Sequence, residues 1–226
     1  MTRHVQQKAS AGSQRWLQIL INDAPEVLNR IIVEELSLGD TGSIEWRSPR
    51  QDDGYAEYQD KAFLDRLGVA TDRVPLAEFW PRRGPVWDGL GRTRRGDILL
   101  LEAKARIGEL VSPASQAGEA SRDLIERSLT ATKRFLKVAT AYDWTDRFYQ
   151  YTNRLAHLYF LRHLNQEPAY LVFVYFINAT DVGGPTCREE WEGALRLLHA
   201  FLGVERHLLT PYVCHVFIDV KELPRS

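Results

Sequence analysis

The sequence predicts an α/β fold, a mixed central sheet flanked by helices. Three observations carry that expectation. Apolar residues at helical spacing alternate along the 226 residues with apolar runs of strand length. Two strand-like runs, residues 85–92 and 98–104, are separated only by a short turn and read as a hairpin. A third, residues 170–177, carries apolar side chains on both faces, as a central strand covered by helices does.

In chain order, residues 1–13 are polar and read as a flexible arm before a single domain, 14–226, that opens with a helical extension. Ser13 is placed to cap a helix over 14–22. Pro25, after Asp23, opens a second helix over 26–36, with Val27, Leu28, Ile31, Ile32 and Leu36 at helical spacing. The run Gly39-Asp-Thr-Gly42 breaks it, and residues 43–47 alternate like a short strand. A polar loop covers 48–54. Residues 55–67 read as a helix ended by Gly68, its inward arc formed by Tyr55, Ala56, Gln59, Ala62, Phe63 and Leu67.

The hairpin carries the chemistry. Residues 98–101 are four aliphatics in a row, and strand alternation puts Ile98, Leu100, Glu102 and Lys104 on one face. Val86, Asp88 and Leu90 share a face of the preceding strand, where Pro85 suits the first position. A loop of Arg94, Arg95 and Gly96 pairs Thr93 with Asp97 and sets Asp88 opposite Glu102. Opposed residues have Cβ atoms roughly 4.5–5.5 Å apart. Two carboxylates that close repel, so one takes a proton or a cation bridges them, and a hard divalent ion is the natural bridge. A loop one residue longer would shift the register and turn Asp88 away. The plainer alternative is a surface hairpin ending in a Glu-x-Lys ion pair.

After the hairpin, a small-residue loop at 112–118 leads to a helix over 121–141, with Lys133, Arg134 and Lys137 late, where cations suit the helix dipole. A second helix spans 145–164. Gln150, Asn153, Arg154 and His157 recur on it at i, i+3, i+4 and i+7 as one polar stripe, directed at a ligand or simply at water. A strand over 170–177, a helix over 189–202 after Pro185 and a strand over 213–220 complete the chain.

Net charge is −1, so a nucleic-acid partner must be met by a local patch. Arg82, Arg83, Arg92, Arg94, Arg95 and Arg106 surround the hairpin acids in sequence. Trp80 and Trp87 suit either base stacking or the core, with the core the commoner fate. Two cysteines make no disulfide framework, and neither a signal peptide nor a membrane-length apolar run is visible, so the expectation is a cytoplasmic protein without a membrane partner. No H-E-x-x-H, C-x-x-C, G-x-S-x-G or P-loop occurs.

The pattern Asp88, Glu102-x-Lys104 resembles the PD-(D/E)XK superfamily, the restriction-endonuclease-like nucleases. The expected Pro-Asp appears as Pro85-Val-Trp-Asp88, with the proline displaced. The resemblance implies a restriction-endonuclease-like core and hydrolysis of phosphodiester bonds, most simply of DNA, with Mg2+ or Mn2+. Asp88, Glu102 and the Ala103 carbonyl would hold the metal, and Lys104 would steer water or offset developing charge. A helix before the hairpin often adds a third acid, here Glu57 in preference to Asp60. A helix after it sends polar groups to the phosphate, here Gln150 and Arg154. Arg92, Arg94, Arg95 and Arg106 would join Arg154 in nucleic-acid contacts, and a homodimer would suit double-strand cutting. The alternative is a binding or assembly module on the same fold that does not cut.

Overall fold

A computed structural model describes residues 2–38 and 44–224. The chain runs β1 (Arg3–His4), α1 (Gly12–Asn22), α2 (Pro25–Glu35), β2 (Glu45–Ser48), β3 (Glu57–Tyr58), α3 (Lys61–Leu67), α4 (Leu76–Phe79), β4 (Gly89–Arg92), β5 (Ile98–Lys104), α5 (Glu119–Leu136), α6 (Tyr149–Tyr159), β6 (Ala169–Ile177), α7 (Arg188–Leu202) and β7 (Val213–Asp219). The fold is mixed α/β. Five strands form a sheet in the order β2-β4-β5-β6-β7, antiparallel through β2, β4 and β5 and parallel through β5, β6 and β7. Parallel neighbours need crossovers, which α5 with α6 and then α7 supply.

β5 is the centre of the molecule, with all seven residues buried. Its alternation sorts two cores. Ile98 and Leu100 face α3 to α7, where Phe63, Leu129, Leu155, Leu158 and Trp191 pack. Leu99, Leu101 and Ala103 face α1 and α2, with Leu20, Leu28 and Ile32. Both faces are therefore covered, as the doubly apolar strands β5 and β6 require. Leu90↔Leu100 and Gly91↔Leu99 set the hairpin register, and Gly96 takes the left-handed conformation (φ 96°) its turn demands. At Gly91 a β-carbon would meet Ile44 and the Trp46 ring about 3 Å away, so a larger residue would push these side chains aside by a few tenths of an ångström.

Several expected elements differ. Residues 55–67 do not form one helix. Tyr55 and Asp60 adopt positive φ (48° and 52°), and between them Glu57–Tyr58 is extended, so helix exists only from Lys61 to Leu67. Residues 2–13, expected as a flexible arm, include β1, which pairs antiparallel with β3 (Arg3↔Tyr58, His4↔Glu57). Ala11 rather than Ser13 precedes α1, with no side-chain cap. The helix expected from 121 to 141 ends at Leu136, because Lys137 turns left-handed. α6 starts only at Tyr149, after a left-handed Phe148, and its last turn widens into a π-helix over Phe160–Leu164. β4 starts at Gly89 rather than Pro85, although Trp87 makes a single bridge to Tyr58. The expected strand over 43–47 lies at Glu45–Ser48, and its first residue, like the Gly39–Gly42 break, falls outside the described residues. Among the described residues no helix is long and apolar enough to cross a membrane.

Candidate functional site

The hairpin register continues past β4, with the Thr93 amide donating to the Asp97 carbonyl at 2.9 Å. Counting the same register the other way sets Asp88 across from Glu102. A bend at Asp88 lets its carboxylate lean along the edge of β5, where Oδ2 accepts the Ala103 amide at 2.8 Å. The N–H and C=O of a strand residue point to the same edge, so the Ala103 carbonyl faces the Asp88 side as well. Extending the Tyr58↔Trp87 bridge by one residue places Glu57 across from Asp88. One row thus crosses four chain segments as His4, Glu57, Asp88 and Glu102.

Glu102 is 1% exposed and both of its oxygens are engaged. Oε1 accepts Lys104 Nζ, and Oε2 accepts Arg154 Nε at 2.7 Å. Lys104 also donates to Gln150 Oε1 at 2.9 Å. Arg154 is buried, donates to the Val86 carbonyl at 2.7 Å and to Asn153 Oδ1 at 3.0 Å, and lies 4.6 Å over the Trp87 ring. Burial works to raise the Glu102 pKa, but the Arg154 and Lys104 charges overcome it and hold the carboxylate below its usual range. Asp88 has no such partner. Packing around its carboxyl and the Glu102 charge push its pKa up to about 8, against the opposing pull of Lys104. Glu57 is also raised, by burial and by Glu102, while amides from Gln14 (3.2 Å, to Oε1) and Gln6 (3.3 Å, to Oε2) counter the shift.

Asp88, Glu102, Ala103, Lys104, Glu57 and Gln150 therefore meet in one region. Their oxygen-rich donor set suits a hard cation in type. Among the described residues, however, no three His, Cys, Asp or Glu side chains stand together as a ready cage. A cation here would be held by two carboxylates and a backbone carbonyl, with water completing its shell.

The arginines are distributed differently from their order in sequence. Arg94 and Arg95 are exposed at the hairpin tip, at the opposite end of β5 from Lys104. Gly96 and Glu102 are six residues apart, so the tip lies about 20 Å away. Arg92 is turned to the end of α3, donating to the Leu67 and Gly68 carbonyls at 2.6 and 3.2 Å. Arg154, expected at a phosphate, is spent on Glu102, because α6 packs its polar stripe onto the sheet instead of onto water. His157 on that stripe sits in a ring cage of Phe63, Phe79, Trp80 and Trp87. Arg106, exposed and paired with Glu109 at 3.2 Å, stands just beyond Lys104. Trp80 and Trp87 are core residues. Asp60 is engaged elsewhere: it accepts the Arg83 and Gly84 amides at 3.2 and 2.8 Å and fixes that turn.

Sequence reading did not identify Gln6 and Gln14 as partners of Glu57. They lie about 50 and 40 residues from it, and no local pattern signals a contact across that separation. Scans against known protein families, curated proteins and solved structures find no match to this chain.

Proposed function

We propose that this protein is a metal-dependent nuclease with a restriction-endonuclease-like core, hydrolysing phosphodiester bonds of nucleic acid, most simply DNA. The observation that carries the reading is the Asp88 carboxylate held on the Ala103 amide, one step past the last β4–β5 pair and beside Glu102, with Lys104 bonded to Glu102 at the end of the central strand. The fit to Mg2+ or Mn2+ rests on the oxygen donors and on the state of Asp88: burial, then the charges of Glu102 and Glu57, raise its pKa, and a bound cation would favour its ionised form. Asp88, Glu102 and the Ala103 carbonyl would hold the ion, which when bound acidifies a water and offsets charge on the phosphoryl oxygens.

The chain's own groups divide the remaining work. Arg154 fixes the Glu102 carboxylate from beneath, and the Ala103 amide fixes that of Asp88. Lys104 has three N–H donors, of which Glu102 and Gln150 take two. The third is left to orient the attacking water or stabilise developing negative charge. Gln150 holds the ammonium in that position. Arg106, at the same end of β5, is the arginine best placed for the substrate backbone. A homodimer and a cytoplasmic location accord with this reading.

A second reading is a nucleic-acid-binding or assembly module that does not cut. It is favoured by the closure of Glu102 on Lys104 and Arg154, the form a purely structural buried ion network takes. Cleavage of single- and double-stranded DNA and RNA, with Mg2+, with Mn2+ and with chelator, separates the two. The nuclease reading expects metal-dependent cutting that Lys104→Ala reduces by at least about a hundredfold. Binding without cutting in every condition would favour the module.

A further inference from the structure

The two edges of the five-stranded sheet are unlike. β2, at one edge, is four residues long, carries Glu45 and Arg47, shifts register between Trp46 and Ser48 and is followed by Pro49. Such features keep an edge from pairing with another chain. β7, at the other edge, has seven residues, pairs with β6 without a shift, lacks proline and lysine, and carries its one charge, Asp219, at the end. Across β5 and β6 the Ile98 amide donates to the Pro168 carbonyl at 2.8 Å. Alternation carried from that bond through both parallel ladders turns the backbone of Cys214, Val216 and Ile218 toward β6 and that of Val213, His215, Phe217 and Asp219 outward. Burial agrees, since the first three are almost fully buried and the other four only partly. Each outward residue carries one N–H and one C=O. The Val213 N–H is engaged by the Thr210 carbonyl, and the Asp219 C=O accepts the first bond of the turn Val220–Glu222. Among the described residues nothing bonds to the rest of that edge.

We propose that two copies of this chain join through β7, antiparallel about a two-fold axis at Val216, so that their sheets become continuous. In that register every free backbone group on the edge finds a partner. His215 of each copy exchanges both bonds with Phe217 of the other, and the Asp219 N–H meets the Val213 C=O. The two groups already engaged, the Val213 N–H and the Asp219 C=O, face each other, so none is stranded. An axis at His215 or at Phe217 would instead leave Asp219 or Val213, respectively, overhanging the other strand. The side chains suit the same register. Val216 meets its own copy, Cys214 meets Ile218, and the His215 and Phe217 rings pair across the axis. Asp219 faces Val213, so no like charges are opposed. The edge is thus self-complementary, as a two-fold interface must be. The inference goes beyond the nuclease reading and does not depend on it.

The test measures self-association of the full-length protein by sedimentation equilibrium, with amide hydrogen exchange across β7 over the same concentration range. The expected result is a dimer in which the His215, Phe217 and Asp219 amides become protected as concentration rises. The Val216 and Ile218 amides, bonded to β6, stay protected throughout. Val213→Glu and Val213→Lys then test the register. Both remove the same valine, but only the first sets a like charge against Asp219, twice in each dimer. Val213→Glu is therefore expected to dissociate at least about tenfold more readily than Val213→Lys. Exchange in the unaltered chain needs no variant, so it decides even where a substitution prevents folding. A chain that is monomeric at every concentration, a dimer whose edge amides exchange freely, or two Val213 variants with equal dissociation constants overturns the inference.

Discussion

Asp88 and Glu102 are neighbours across two strands, yet their surroundings drive them apart. Glu102 has a guanidinium and an ammonium, whereas Asp88 has one backbone amide and two nearby carboxylates. A folded-state pKa of about 8 for Asp88 stands against about 3.9 in an unfolded chain. Between those values the folded chain keeps a proton that the unfolded chain has released, so this group's contribution to stability falls as pH rises through the window. Asp88→Asn removes the effect. In metal-free buffer it is expected to match wild type near pH 4 and to exceed it by about 1–2 kcal/mol at pH 8, allowing for solvent at the exposed edge of Asp88. Urea unfolding at both pH values checks this, and a destabilised variant at pH 8 would refute it. The positions of Asp88, Glu102 and Lys104 were legible because strand alternation and a three-residue turn dictate them. The role of Arg154 was not. A polar stripe on a helix reads as wet unless the surface it packs on is known.

Among the elements, β5 was the most legible, since four aliphatics bounded by Gly96 and Glu102 leave little choice. The segment 55–67 was the least. Its apolar spacing suits a helix, but two residues with positive φ and the pairing with β1 hold its first half extended. That is a tertiary contact overriding local preference, and it is why Glu57 reaches the row from a ribbon instead of a helix. The far end of β5 depends on another close approach. At Gly184 a β-carbon would run into the Ala105 carbonyl oxygen, one residue beyond Lys104. Backbone cannot yield as a side-chain tip can, so Gly184→Ala is expected to lower stability by about 2 kcal/mol and to displace the end of the strand. Thermal unfolding gives the first quantity, and the amide shifts of Lys104 and Ala105 report the second. An unperturbed Tm would show that the loop moves aside freely.

At the level of the whole molecule, the two-layer covering of a mixed sheet was legible from the order of helical and strand periods, whereas the distribution of charge was not. Arginines adjacent in sequence to the acids were carried by the hairpin to the far end of the sheet. The larger core also holds a histidine that ties overall stability to acidity. Burial holds His157 at a pKa of about 3, whereas in the unfolded chain it titrates near 6.5. Below that pH the unfolded state binds the extra proton, so stability is complete above about pH 6.5 and drains away as pH falls toward about 3. One pH unit into that window the loss from this residue is about 1.4 kcal/mol. His157→Phe, which keeps a ring in the aromatic cage, is expected to reduce the stability difference between pH 7 and pH 5.5 by about that amount in urea titrations. An unchanged difference would mean that the acid sensitivity resides elsewhere, with His215, also held near 3 by burial, the next residue to replace.

The ribbon joining Arg3–His4 to Glu57–Tyr58 has a practical corollary. A purification handle fused directly ahead of residue 2 would tug on the strand that abuts the acids, and a preparation made that way could look inert for reasons unrelated to its chemistry. Handles belong on the opposite terminus, or behind a spacer that is cleaved before any assay.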